Sequence, residues 1–267
     1  MKKYIISLAL VLSASWNCPA FAQLALDKYS ERVDIAPGQA VKGTITLRNT
    51  SDKILFLKTY LKDIKFVRPF DGKKEILPAG STPYSINTWI KVSPESFNIP
   101  AFGKLAVDYI INVPEAVKGS YYGTIYFEKT ASGQVDDKAS VSLAISWGYT
   151  LFLETGDKIK KATIDGASFV KGAIQGNITN IGNVLLVSNP TFHVIDEKGV
   201  VLSRGTLQGV YLPSGEKAVF KTEIPPKMPQ GKYTLFLSFD FGGGAPLVKE
   251  IDFSKTEGGE IQILGIK

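Results

Sequence analysis

The sequence predicts an all-β protein built as two β-sandwiches in tandem, and three observations carry that prediction. Period-two alternation of apolar and polar residues, bounded by Gly, Pro, Asn and Asp, runs through the chain and marks half-buried strands. Beyond the first 22 residues no window holds a helical period over three turns. One motif also occurs twice. Pro114-Glu-Ala-Val-Lys-Gly119-Ser-Tyr121 opens onto Tyr122-Gly-Thr-Ile-Tyr-Phe127, and Pro226-Lys-Met-Pro-Gln-Gly231-Lys-Tyr233 opens onto Thr234-Leu-Phe-Leu-Ser-Phe239. A tyrosine at the start of a late strand, just after a turn, is the trace of a tyrosine corner, whose hydroxyl bonds backbone a few residues upstream. Two corners predict two Ig-like sandwiches.

The elements follow in order. Lys2 and Lys3, the apolar run from Ile5 to Ala14 and Ala20-Phe21-Ala22 read as a secretory signal peptide over residues 1–22, cut near Ala22–Gln23. The apolar run is too short to span a bilayer, and no later stretch approaches the ~20 residues a span needs. The mature chain is therefore expected to be periplasmic or secreted, with no membrane span. Cys18, the one cysteine, leaves with the leader, so apolar cores alone must stabilise the fold. Two sandwiches of about 110–130 residues are large enough for that.

In the first copy, Val41, Ile45 and Leu47 alternate with Lys42, Thr44, Thr46 and Arg48. Leu105, Val107, Tyr109 and Ile111 form a second inward set, and Tyr121, Gly123, Ile125 and Phe127 a third. Gly43 to Asn49 resembles Gly176 to Asn180, each running into a polar turn. The first copy is the longer one between these glycines and the tyrosine corner, and the surplus falls in residues 64–90. Asp71-Gly72, Asp196-Glu-Lys-Gly199 and Gly242-Gly-Gly244 mark hairpin turns. The polar stretch Glu154-Thr-Gly-Asp-Lys-Ile-Lys-Lys161 reads as the connection. The predicted domains are 23–155 and 156–267.

Nothing in the sequence builds a catalytic site. His193 is the only histidine, set in the alternating segment Thr191–Ile195 with no nucleophile or orienting acid in sight. Asp136-Asp137 and Asp196-Glu197 are adjacent pairs, and neighbours on a strand point to opposite faces. No cluster has metal-ligand spacing, and the glycine triplet lacks the Lys-Ser/Thr of a phosphate loop. The net charge of +6 is scattered along the chain, unlike the concentrated patch that nucleic acid requires. The expectation is a protein that binds proteins, not an enzyme, without cofactor, metal or nucleic acid.

The candidate site is the stretch from Ala139 to Leu153. Val141, Leu143, Ile145, Trp147 and Tyr149 occupy every second position, and the opposite face carries Ser140, Ser142, Ala144, Ser146, Gly148 and Thr150. At about 15 residues it exceeds the usual ~5–6 of a strand. A long edge strand can take up an extended segment of a partner by β-augmentation.

The layout resembles periplasmic pilus-assembly chaperones of the PapD type. The matching stretches are the Ala36-Pro-Gly-Gln turn, the strand ending at Arg48-Asn49, Trp89-Ile-Lys-Val-Ser-Pro94, the Pro100–Pro114 segment, the Tyr121 strand and the long strand ending Thr150-Leu-Phe-Leu153. The resemblance implies two Ig-like domains, a last strand of the first domain that completes an incomplete pilus or surface subunit, and a basic pair in the cleft that grips the subunit's terminal carboxylate. The family's basic residue in the long strand has no counterpart here, since no Lys or Arg occurs between Lys138 and Lys158. Lys28 and Arg32 on the first strand are the candidates for basic cleft contacts. A weaker resemblance, through Trp89–Pro94, residues 105–113 and Pro114–Tyr121, is to Ig-like surface proteins that interact with WxL-type proteins or peptidoglycan. It implies the alternative of a structural or adhesive envelope component with docking domains.

Overall fold

The computed structural model describes residues 23–130 and 145–267, and every regular element among them is a strand. In chain order these are β1 (Leu24–Leu26), β2 (Ser30–Ile35), β3 (Ala40–Asn49), β4 (Leu55–Phe66), β5 (Lys74–Pro78), β6 (Ile90–Ser93), β7 (Ser96–Ile99), β8 (Lys104–Asn112), β9 (Gly119–Lys129) and β10 (Ser146–Thr155). There follow β11 (Ala162–Val170), β12 (Ala173–Asn180), β13 (Leu186–Ser188), β14 (Thr191–Asp196), β15 (Val201–Thr206), β16 (Val210–Leu212), β17 (Lys217–Glu223), β18 (Gly231–Phe239), β19 (Leu247–Lys255) and β20 (Ile261–Ile266). No helix among the described residues is long and apolar enough to cross a membrane. The expected leader and residues 131–144 lie outside the described residues.

Two tandem Ig-like sandwiches result. In the first, the sheet β1-β3-β8-β6 faces the sheet β2-β10-β9-β4-β5, with β7 pairing the start of β4. The chain changes sheets between β1 and β2. Leu24, Ile45, Leu47, Val107, Ile111, Ile125, Phe127, Tyr149, Leu151 and Leu153 fill the space between the sheets, as their alternation requires. In the second, β15-β14-β18-β19-β20 packs against β11-β12-β17 and the short pair β13-β16, around Ile178, Val194, Leu235, Leu237, Phe239, Ile251 and Phe253.

The sequence repeat becomes a repeat of physical devices. Asn49 and Asn180 are both 0% exposed. The Asn49 amide donates to the carbonyls of Lys53, Ile99 and Pro100, and its oxygen accepts from the Ser51 N–H. Asn180 donates to Val184 and Leu212 and accepts from Gly182. Asn49 ties the turn after its strand to the end of β7, and Asn180 ties its turn to β16. Gly43 and Gly176 repeat a second device: a Cβ at either would run into a ring on the neighbouring strand, Tyr109 or Phe220. Both corners form too. The Tyr233 hydroxyl donates to the Pro229 carbonyl at 2.6 Å and that of Tyr121 to Lys118 at 3.4 Å.

The surplus residues of the first copy break the symmetry. They form the β4–β5 hairpin and the loop to β6, which Asp63 holds from beneath. Asp63 is 0% exposed and accepts from the Thr82 N–H at 2.8 Å, the Ser85 hydroxyl at 2.6 Å and the Asn87 amide. The loop lays Tyr84 against Tyr122, and the Tyr84 hydroxyl reaches the Ser214 carbonyl of the second sandwich. Ile64, Phe66, Phe70 and Tyr122 join the apolar cluster of the second sandwich, so the two halves meet through hydrophobic packing. Asn183 fastens the connection: its side chain accepts from the Ile159 N–H at 2.7 Å and donates to the Asp157 carbonyl at 2.7 Å.

Candidate functional site: a half-filled strand edge beside a basic cleft

The strand β10 sits between β9 and β2 for only part of its length. It pairs with β9 antiparallel from Ser146↔Glu128 to Thr155↔Gly119, but with β2, in parallel, only from Thr150↔Ser30 to Thr155↔Ile35. From Ser146 to Tyr149 that second edge has no strand beside it among the described residues. Which backbone groups are left open follows from the alternation of main-chain direction along a strand. The Thr150 N–H donates to the Tyr29 carbonyl at 2.9 Å, whereas the Ile145 carbonyl accepts from the Lys129 N–H on β9 at 2.9 Å. Even-numbered residues of β10 therefore address the β2 side and odd-numbered ones address β9. The open groups are the N–H and C=O of Ser146 and Gly148.

The odd-numbered side chains share one face and become more buried along the strand. Ile145 is 37% exposed and Trp147 half-buried, whereas Tyr149 is 0% exposed. This corrects the expectation that Tyr149 faces a partner. Its ring is enclosed in the first core, and its odd position directs its main chain to Ile125 on β9. Val141 and Leu143 lie outside the described residues. Gly148 keeps the outer face low: a Cβ there would stand 3.0 Å from Thr124 and 3.1 Å from the Tyr126 ring.

Tyr149 is held by Glu31. Its hydroxyl and that of Tyr109 both donate to the Glu31 carboxylate, which also pairs with the Lys28 ammonium at 2.8 Å. Burial by itself raises the Glu31 pKa, but the hydrogen bonds from Lys28, Tyr149 and Tyr109 outweigh it and hold the carboxyl below its ordinary range. Burial and the carboxylate together push both tyrosine hydroxyls upward. Glu31 and Arg32 are strand neighbours and point to opposite faces. Lys28, bound to Glu31, is thereby turned away from the cleft, which corrects its expected place there.

Arg32 lies beside the cleft rather than in its lining. It stands opposite Phe152 in the β2–β10 register, its guanidinium 5.7 Å above the Phe152 ring and 3.5 Å from Glu154. Beside it opens a cleft of about 600 Å³ lined by Tyr29, Ser30, Lys74, Thr150, Phe152 and Tyr211, among others. Its lining holds two cations that the sequence reading missed, Lys73, paired with Asp71 of the same lining at 3.3 Å, and Lys74. Lys74 opens β5 opposite Phe66, and its ammonium lies 5.8 Å from the Phe66 ring and 5.9 Å from the Phe152 ring. Burial lowers its pKa, and no carboxylate pairs with it among the described residues. A lysine that is exposed overall but whose ammonium lies over aromatic faces, with no carboxylate partner among the described residues, is suited to accept an anion from outside. The Asp71-Gly72 turn marked the hairpin in the sequence, but only the hairpin's register brings Lys74 across to β10.

No model of a known protein family matches the sequence, and no curated protein matches it. Solved structures do. The class 5 fimbriae chaperone CfaA is similar over 84% of this chain and 97% of its own, with a TM-score of 0.52 at 15% identity. A chain from the chaperone–tip adhesin complex of CFA/I fimbriae biogenesis is similar over 91% of this chain and 98% of its own, with a TM-score of 0.50 at 15% identity. Such identities carry likeness of fold. In fold, the described residues are like PapD-like fimbrial chaperones.

Proposed function

We propose that this protein is an exported chaperone that captures a fimbrial or other surface subunit by strand addition on the open edge of β10. The half-filled ladder is the observation that carries the reading. A sheet edge whose N–H and C=O groups are left open among the described residues offers backbone hydrogen bonds to an extended segment. Ser146 and Gly148 supply them, and Ile145 and Trp147 supply accessible apolar side chains. Val141 and Leu143 extend the same alternation toward the N-terminus. Arg32 and Lys74, both over the Phe152 ring, form a basic pair suited to a terminal carboxylate. Lys74 thus takes the part that a basic residue in the long strand would otherwise play. Periplasmic residence follows from the leader-like first 22 residues.

The test is co-purification of the chain with its bound subunit, together with amide exchange on Ser146 and Gly148. The Ser146 N–H has no acceptor among the described residues, so Ser146→Pro removes a partner bond while sparing the β9 ladder. It is expected to fold with an unchanged spectrum and to lose the subunit. Lys74→Met is expected to weaken capture at least tenfold, about 1.4 kcal/mol. A subunit that stays bound to Ser146→Pro, with no exchange protection at Gly148, rules out strand addition and favours a docking component of the envelope.

A further inference from the structure

Resting on that reading of the cleft, we propose that the β4–β5 hairpin tip braces one sandwich against the other and thereby places Lys74, with Arg68 and Phe70 as its positioning residues. The hairpin grows from the first sandwich, yet its tip binds the second. The Phe70 ring is 3% exposed, within the cluster built mainly from second-sandwich residues. Its carbonyl accepts from the Tyr211 N–H at 2.8 Å. Phe70 has a φ of 67°, the left-handed region that non-glycine residues enter at a cost, and such strain persists only where surrounding contacts impose it.

Arg68 reinforces the contact. Its guanidinium donates to the Lys217 carbonyl at 3.1 Å and to the Glu216 carboxylate at 3.2 Å, and lies 5.5 Å over the Phe70 ring. Gly72 permits it: with a φ of 99°, it has the Tyr211 ring 3.0 Å from where a Cβ would be. Tyr211 stacks in turn on Phe66 at 5.5 Å, the residue paired with Lys74. The tip, the second sandwich and the cleft ammonium are thus one connected set of contacts. An anion that binds Lys74 in this arrangement favours the docked sandwiches, and docking favours the anion by the same factor.

Two measurements test the brace without any partner. The chain from Gln23 on has no cysteine, so spin labels at Lys104→Cys and Val248→Cys report the separation of the sandwiches. Lysine side-chain NMR reports the titration of Lys74. The parent is expected to give one narrow distance distribution, with Lys74 titrating below the ordinary lysine value. Arg68→Ala, an exposed change that leaves the cores alone, is expected to broaden the distribution and return Lys74 toward the ordinary lysine value; Phe70→Ala should do so more strongly. If Arg68→Ala leaves both readouts at parent values, the brace is overturned. If Lys74→Met keeps full subunit capture while both readouts behave as expected, the brace stands and the carboxylate reading of the cleft falls.

Discussion

Asp63 shows how much one buried carboxylate can organise. Burial acts to raise its pKa, but the bonds from Ser85, Thr82, Gly80 and Asn87 prevail and hold it below the ordinary aspartate value. A pKa lowered by folding contributes stability that is present above the unfolded value of about 3.9 and is lost as pH falls through the folded value. Asp63→Ala strands several buried donors and is expected to cost on the order of 3 kcal/mol near pH 7. Urea unfolding at pH 7 and near pH 3 checks this, because the difference from the parent must shrink in acid. An equal difference at both values would mean that the charge is not what holds the loop.

Among the elements, the paired glycines make the sharper claim. Gly43 lies under Tyr109, whose hydroxyl donates to Glu31 at 3.0 Å. Gly43→Ala is therefore expected to push the ring off, weaken the Glu31 cluster that holds Tyr149, and cost about 2 kcal/mol by overpacking; chemical denaturation checks it. Both tyrosine corners were legible because the device is local, and the glycines and polar turns were legible as a repeat, although the rings over the glycines and the carbonyls that Asn49 and Asn180 reach lie far off in sequence. Alternation likewise gave the inward faces of β3, β8, β9 and β18. The open edge was not legible. Alternation assigns faces, but which edge is filled depends on β2 crossing from the other sheet. The burial of Tyr149, the retreat of Lys28 to Glu31 and the arrival of Lys74 at Phe152 are all pairings across long sequence separations, which period-two patterning does not encode.

At the scale of the molecule, the sandwiches share an apolar cluster. Phe66, Phe70 and Tyr122 of the first are buried against Tyr211 and its neighbours of the second. Unfolding either half exposes that surface on the other. The two are expected to melt as one transition, with calorimetric and van't Hoff enthalpies in agreement. A fragment ending at residue 155 is expected to bind a hydrophobic dye and aggregate. Two well-separated transitions would show that the shared cluster adds little to either half.

The half-filled ladder also acts as a ruler. A segment lying along Ser146 and Gly148 ends where the Tyr29 carbonyl takes the Thr150 N–H, and it cannot advance without displacing the six residues of β2. Its far limit is therefore set by the fold. The distance from that stop to the cations over Phe152 is fixed as well. Under the strand-addition proposal, of two subunits with the same apolar pattern, the one whose last residue lies at the matching distance would be paired and anchored at once. The other must give up one contact to keep its neighbour.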